Sequence, residues 1–168
     1  ALNDAFDRAA QDDCVSVIVL GANGRHFSSG HDLREVDSMD KLYQKLGTYR
    51  RVGVWSGELN DGAEPLMARE KEVFLEFTSR WRRLPKPVIS AVQGSCIAGG
   101  LMLVWPTDII VAGKSAVFQD NTVGMGIPGV EFFAHVHQLG PRKAREVLFT
   151  GRPLTAEEAL GCGMINKV

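Results

Sequence analysis

The sequence lacks any apolar run long enough to cross a membrane, and its opening, "ALNDAFDRAA", lacks the charged-then-apolar pattern of a signal peptide. It also lacks an excess of either charge. Nineteen basic residues against 20 acidic ones leave a formal net charge of −1. That gives no general electrostatic reason to expect nucleic acid or an anionic membrane as partner. Cysteine is scarce: Cys14, Cys96 and Cys162 are odd in number, widely spaced, and lie in or beside apolar runs. This argues against a disulfide or metal framework and predicts buried thiols in a reducing cytoplasm. There is no P-loop and no G-x-S-x-G elbow. His135 and His137 stand two apart, on different sides of any helix, whereas a metal pair there needs a spacing of three or four. A surface or partly buried pair is expected instead.

What is present fits one globular domain over residues 1–168, with 45% apolar and 23% charged residues. The chain opens on alanine, so a processed product or a piece of a longer chain is expected. Leu2, Ala5, Phe6 and Ala9 recur at helical spacing. The β-branched "VSVIVLGA" that follows reads as a buried strand, and helix followed by continuous apolar strand points to an α/β fold. Residues 40–84 are polar and read as helical, interrupted around "VGVWSGELNDGAEP". Their last stretch, "KEVFLEFTSRWRRL", is an amphipathic helix stopped by Pro85 and Pro87. "PVISAVQG", "DIIVAG", "AVFQD" and the terminal "MINKV" read as strands. "AGGLMLVWP", "EFFAHVHQLG", "PRKAREVLFTG" and "TAEEALGCG" read as helices. Thr155 and Glu158 have capping-box spacing, and Gly151 suits a helix C-terminus.

Gly124-Met125-Gly126-Ile127-Pro128-Gly129 satisfies G-x-G-x-x-G. A dinucleotide fingerprint needs a strong preceding strand and free backbone N–H groups; "QDNTV" is a weak strand and Pro128 removes a donor. A tight structural loop is the better reading, and a nucleotide-dependent oxidoreductase is not expected. Two other places carry more. Gly99-Gly100 opens an apolar helix directly after a strand, where a ligand atom could approach unpaired N–H groups, or where helix and strand simply pack closely. "SSGHDL", residues 28–33, also follows a strand, and its Gly30-His31 step could present another N–H. Two such donors aimed at one oxygen suit a carbonyl that gains negative charge. The His31 ring is also a possible general base.

These residues resemble the crotonase, or enoyl-CoA hydratase/isomerase, superfamily. "RHFSSGHDLREV" is similar to its first oxyanion-hole loop, and "LPKPVISAVQGSCIAGGLMLVWPTDIIVAGKSAVF" to its second with the following helix and strand. "LGPRKAREVLFTGRPLTAEEALGCGMINKV" is similar to the helical stretch that closes its core. The resemblance implies an α/β spiral of ββα units in one core domain, incomplete at both ends. It also implies a homotrimer or hexamer in the cytoplasm, acting on an acyl-CoA thioester. No cofactor is implied, coenzyme A being part of the substrate. The amides of His31 and Gly99 would hold the thioester oxygen. Ser29, Gly30, Asp32, Leu33 and Arg34 would line the path of coenzyme A, with Gly100, Met102 and Thr122 also at the substrate.

The departures from the family pattern matter as much. Hydratases of the family carry one glutamate three residues after the second oxyanion glycine and another in a "PE" dipeptide after the next strand. Met102 and Thr122 stand at those places here, and neither moves a proton. Met102 also suits a helix residue filling an apolar core. Glu131 is the replacement acid we favour, against a simpler role complementing a helix N-terminus; His31 and Asp120 follow it. The alternative function is a non-catalytic acyl-CoA-binding homologue that has kept the oxyanion hole and lost the acids.

Overall fold

The computed structural model describes residues 1–32, 64–127 and 129–168. Helix α1 (Leu2–Gln11) presents Phe6 inward, as its spacing predicts. Lys86 closes its far end, donating from Nζ to the carbonyls of Ala9 at 2.8 Å and Asp12 at 2.6 Å. Strand β1 (Ile18–Leu20) follows. From Glu64 the chain is helical: α2 (Glu64–Glu70), a π-helical turn (Lys71–Glu76) and α3 (Phe77–Trp81). The predicted stop after "RWRRL" therefore holds, while the part of the expected 40–84 helical region before residue 64 lies outside the described residues. Phe6 and Trp81 meet with ring centroids 5.2 Å apart and share a small core with Val88.

Next come β2 (Val88–Val92), β3 (Ser95–Ile97) and helix α4 (Gly99–Val104), then β4 (Ile109–Ala112) and β5 (Val117–Gln119). A 3₁₀ turn (Val123–Met125), α5 (His135–Leu139), α6 (Pro141–Thr150), β6 (Leu154–Thr155) and α7 (Ala156–Gly161) complete the fold. Two sheets form. One has parallel order β1-β2-β4, and the other has order β3-β5-β6 with only the β5–β6 pair antiparallel. Each pass of the chain lays a strand in the first sheet, a strand in the second, and then a helix. The earliest pass contributes β1, the Ser28–Cys96 bridge and the helices from Glu64; the second contributes β2, β3 and α4. This is the expected spiral of ββα units.

The main core lies inside the spiral. Cys96, Val104 and Ala156 are wholly buried there, with Leu101, Met102, Trp105 and Phe118 nearly so. Each such large apolar side chain contributes about 1.5–3 kcal/mol through its removal from water. The outer face of the first sheet is apolar: Val19, Ile89 and Ile109 form one cross-strand row, with Val19 66% and Ile109 39% exposed.

Several sequence expectations are corrected. "MINKV" forms no strand. Val111 and Lys167 make one isolated bridge, and the Asn166 side chain accepts the Ile110 N–H at 2.8 Å, a role a ladder carbonyl would otherwise fill. The helix expected over "EFFAHVHQLG" begins only at His135. Val130 and Ala134 are buried while Glu131 and Phe133 are exposed, an alternation that belongs to extended chain. Glu131 therefore precedes the helix instead of starting it. Cys14 is exposed, because the chain around it is a polar turn with its own N–H held by Asp12. His135 is fully buried, not a surface group. The capping box at Thr155 and Glu158 and the left-handed Gly151 after α6 are both present.

Candidate active site

The site is built from two successive coils of the spiral. Ser28 on the earlier coil bridges Cys96 on the later one, and the Ser28 carbonyl accepts the Ile97 N–H at 2.9 Å. His26 reinforces the junction, its Nδ1 accepting the Ser95 N–H at 3.0 Å. Gly94 makes room for it: its φ is +56°, and a Cβ there would stand 2.3 Å from the Arg25 carbonyl oxygen. Nothing in the local sequence pattern singled out His26, Ser28 or Gly94. A histidine close before a strand and a glycine at its turn were the only available signals.

Beyond this junction the two backbones turn toward each other. Gly30 has φ +91°, and a Cβ on it would meet the Ile97 carbonyl oxygen at 3.0 Å, the Ala98 Cβ at 3.2 Å and the Gly99 nitrogen at 3.3 Å. A Cβ on Gly99 would stand 3.6 Å from the His31 nitrogen. Gly100 is packed just as closely, its missing Cβ facing the Ser28 side chain at 3.0 Å and Cys96 Sγ at 3.3 Å. Of the two readings of the double glycine, close packing applies at Gly100, while Gly99 faces the opposite loop.

Ala98, between strand β3 and helix α4, has φ 48° and ψ −110°, and it is the only described non-glycine residue with positive φ. Such a conformation costs on the order of 1–3 kcal/mol and persists only where the surroundings enforce it. Here the Gln119 carbonyl on β5 accepts the Ala98 N–H at 2.9 Å. On the other side, Ser28 Oγ accepts the Gly30 N–H at 3.2 Å. The amides preceding Gly99 and His31, those of Ala98 and Gly30, are thus engaged, while the amides of His31 and Gly99 themselves donate to no protein group among the described residues. Two N–H donors on apposed segments can accommodate one oxygen that gains charge. The exposed His31 ring lies against Phe74 of the π-helical turn, with centroids 5.4 Å apart.

The remaining predicted residues divide. Ser29 and Asp32 are exposed on the same loop as His31; Leu33 and Arg34 lie outside the described residues. Met102 is 4% exposed in the core, the role its apolar surroundings predicted. Thr122 is buried, and Asp120 accepts from both its N–H, at 3.0 Å, and its hydroxyl. Burial raises the Asp120 carboxyl, but the His135 ring beside it and the hydrogen bonds from Thr122 outweigh this and hold the group below the usual carboxylate range. Glu131 is exposed and makes no hydrogen bond or ion pair among the described residues. The glycine run closes on itself: Thr122 O accepts from Met125 and Ile127, and Val123 O from Gly126. Those amides are spent, which supports a structural loop over a pyrophosphate cradle. Among the described residues no group of three or more histidine, cysteine or acidic side chains could hold a metal, and no helix is long and apolar enough to cross a membrane.

Spiral and site together define a crotonase-type protein, and comparison with known proteins agrees. Residues 52–168 match the enoyl-CoA hydratase/isomerase family model, and the chain belongs to that family. EchA13 of Mycobacterium tuberculosis, whose name carries the words enoyl-CoA hydratase, is 41% identical over 99% of this chain and 52% of its own length. The human mitochondrial Delta(3,5)-Delta(2,4)-dienoyl-CoA isomerase is 34% identical over 98% of this chain and 48% of its own. A crystal structure of a probable enoyl-CoA hydratase from Mycobacterium thermoresistibile shares 47% identity with a TM-score of 0.80. It is matched over 99% of this chain and 60% of that one. The chain thus spans about half the length of these curated relatives.

Proposed function

We propose that the protein processes an acyl-CoA thioester, polarising its carbonyl between the backbone amides of His31 and Gly99. The observation that carries this is the apposition of those two amides, each without a protein acceptor among the described residues while the amide before it is engaged. As a proton leaves the acyl chain, negative charge collects on the thioester oxygen, and donors already in place stabilise it without reorganising. Ser29, Gly30 and Asp32 flank the same opening and are assigned to coenzyme A, which enters as part of the substrate.

Hydration by paired glutamates has no support, because Met102 and Thr122 occupy both places and both side chains are buried. Isomerisation asks less: one base takes a proton from one carbon of the acyl chain and returns it to another, with no water added. Glu131, exposed and without an ion pair among the described residues, in the bend before α5, is the base we assign. The buried Met102 and Thr122 equally favour a second reading, an acyl-CoA-binding homologue without turnover. We keep a homotrimer or hexamer within the proposal; the exposed apolar row on the first sheet supports burial against another copy.

Calorimetry with a panel of acyl-CoAs, run beside turnover assays on enoyl- and dienoyl-CoAs, separates the readings. Binding with turnover supports the enzyme, and binding alone supports the homologue without turnover. Gly99→Pro removes one donor and should lower turnover about 10²–10³-fold. If that variant folds and works at the wild-type rate, the amide assignment is wrong. Glu131→Gln should abolish turnover and preserve binding; unchanged turnover removes Glu131 from the site.

A further inference from the structure

We propose that Asp120 and His135 form a buried positioning pair that holds the β5 support of the step into Gly99 and the turn carrying Thr122 in fixed relation. The proposal rests on the reading above for its functional meaning, but its geometry stands apart from it. Asp120 is 5% exposed and His135 1% exposed, and Asp120 Oδ2 lies 2.9 Å from His135 Nε2. The contact makes no hydrogen bond: Asp120 Oδ2, both His135 ring nitrogens and the Trp105 indole nitrogen have no hydrogen-bond partner among the described residues, so the pair is held by close charge–dipole contact.

The pair stands where three pieces of the site converge. Asp120 directly follows Gln119, whose carbonyl holds the Ala98 N–H and so maintains the strained step into Gly99. The other oxygen of Asp120 accepts from Thr122 and opens the 3₁₀ turn. His135 begins α5 and is wedged between two rings. Trp105, at the far end of the helix that Gly99 begins, meets it edge-on at 4.6 Å, and Phe133 meets it at 4.5 Å. Gly129 completes the enclosure with φ +130°, its missing Cβ 3.1 Å from the Phe133 ring and 3.8 Å from Asp120 Oδ2.

Core packing alone does not call for this arrangement. Apolar residues of similar volume generally serve stability as well as or better than a buried ion pair, whereas removing one partner strands a charge. What the pair adds over an apolar filling is direction: Asp120 Oδ1 accepts from Thr122, while Oδ2 faces His135 Nε2. Asp120 and His135 are thus positioning residues, acting through Gln119, Thr122 and Trp105.

Three forms of the purified protein test this by hydrogen exchange with mass spectrometry, without reference to activity. His135→Phe keeps a ring but leaves Asp120 without its partner; His135→Gln keeps an N–H donor. In His135→Phe, exchange over residues 98–103 and 119–125 should quicken tenfold or more, with residues 141–150 of α6 unchanged. His135→Gln should stay within about threefold of wild type. Uniform acceleration across the chain, no acceleration, or equal effects of the two variants would overturn the proposal. Should neither variant fold, the wild-type protein decides: residues 119–125 must exchange as slowly as strand β2, and fast exchange there refutes a fixed turn. If wild type turns over acyl-CoA, His135→Phe should also lose about tenfold in kcat with KM within twofold, and His135→Gln should recover at least half of it. A wild-type protein that binds no acyl-CoA overturns the functional reading and leaves the exchange result to judge the pair.

Discussion

Replacing Gly30 with alanine perturbs the site at its narrowest point. Two effects separate cleanly. The first is conformational: an L-residue at φ +91° is strained by roughly 1–2 kcal/mol, which in a chain of this size lowers Tm by about 2–8 °C. The second is positional. The new methyl would lie 3.0 Å from the Ile97 carbonyl oxygen and 3.3 Å from the Gly99 nitrogen, so the two segments must part by a few tenths of an ångström. Complete loss of one donor costs about 10²–10³-fold, and a displacement that weakens both without removing either should cost about 10–100-fold in kcat/KM. Gly24→Ala is the matched control. Its φ is +98°, but nothing lies within 4 Å of the added methyl, so it carries the strain without the push. Thermal melts of the two variants should agree within a few degrees, while acyl-CoA turnover falls only in Gly30→Ala. If turnover falls equally in both, or in neither, the argument from apposed amides fails.

Other outcomes follow from groups away from the site. Burial pushes the Cys96 thiol up to about 12, whereas Cys14 is exposed. Alkylation of the native protein at pH 8 should label Cys14 within minutes and leave Cys96 unmodified until unfolding, as peptide mass spectrometry would show. Arg152 and the Thr155 N–H hold the Glu158 carboxyl down to about 2 from an ordinary 4.5. The folded form thus favours the carboxylate, so its stabilisation is full above about pH 4.5 and lost as pH falls toward 2. The group is solvent-exposed, so the screened contribution is at most about 1 kcal/mol. Melts of Glu158→Gln against wild type should differ at pH 6 and converge near pH 2; a constant gap would contradict the assignment. His31→Ala keeps the backbone amide, and turnover within about fivefold of wild type is expected; a 10²-fold loss would give the catalytic role to the ring instead.

The sequence carried most of the fold because its strands are short, apolar and set off by glycine, proline or charge, as at "PVISAVQG" and "DIIVAG". Helix α7 was legible for a chemical reason, since Thr155 and Glu158 satisfy each other's backbone donors. Failures came where tertiary partners replaced local rules. "MINKV" has strand composition, yet an asparagine side chain takes up a strand's N–H. Strand β6 is two residues long and exists only through pairing with β5. Within the site, glycines at 30 and 99 were visible as glycines, but their facing one another was not, since 69 residues separate them in the chain. Ala98 gave no signal at all, because alanine has no preference for positive φ and only the Gln119 carbonyl and neighbouring coils hold it there. Asp120 and His135 were each visible, as a candidate acid and as half of a histidine pair, but their meeting 15 positions apart emerged only from the tertiary fold.

The Ser28–Cys96 bridge has a further consequence, for how such a site tolerates change. Along a strand, one residue of slip moves every later atom about 3.3 Å and turns side chains to the opposite face. The spacing between His31 and Gly99 is therefore read from a single rung, three residues from each, like two scales aligned at one mark. The number of residues between the coils does not enter that alignment. Changes of loop length outside the helices and strand β2 in the span between the two coils leave the rung, and both amides, where they were, whereas one residue added between Ser28 and His31 misaligns them completely.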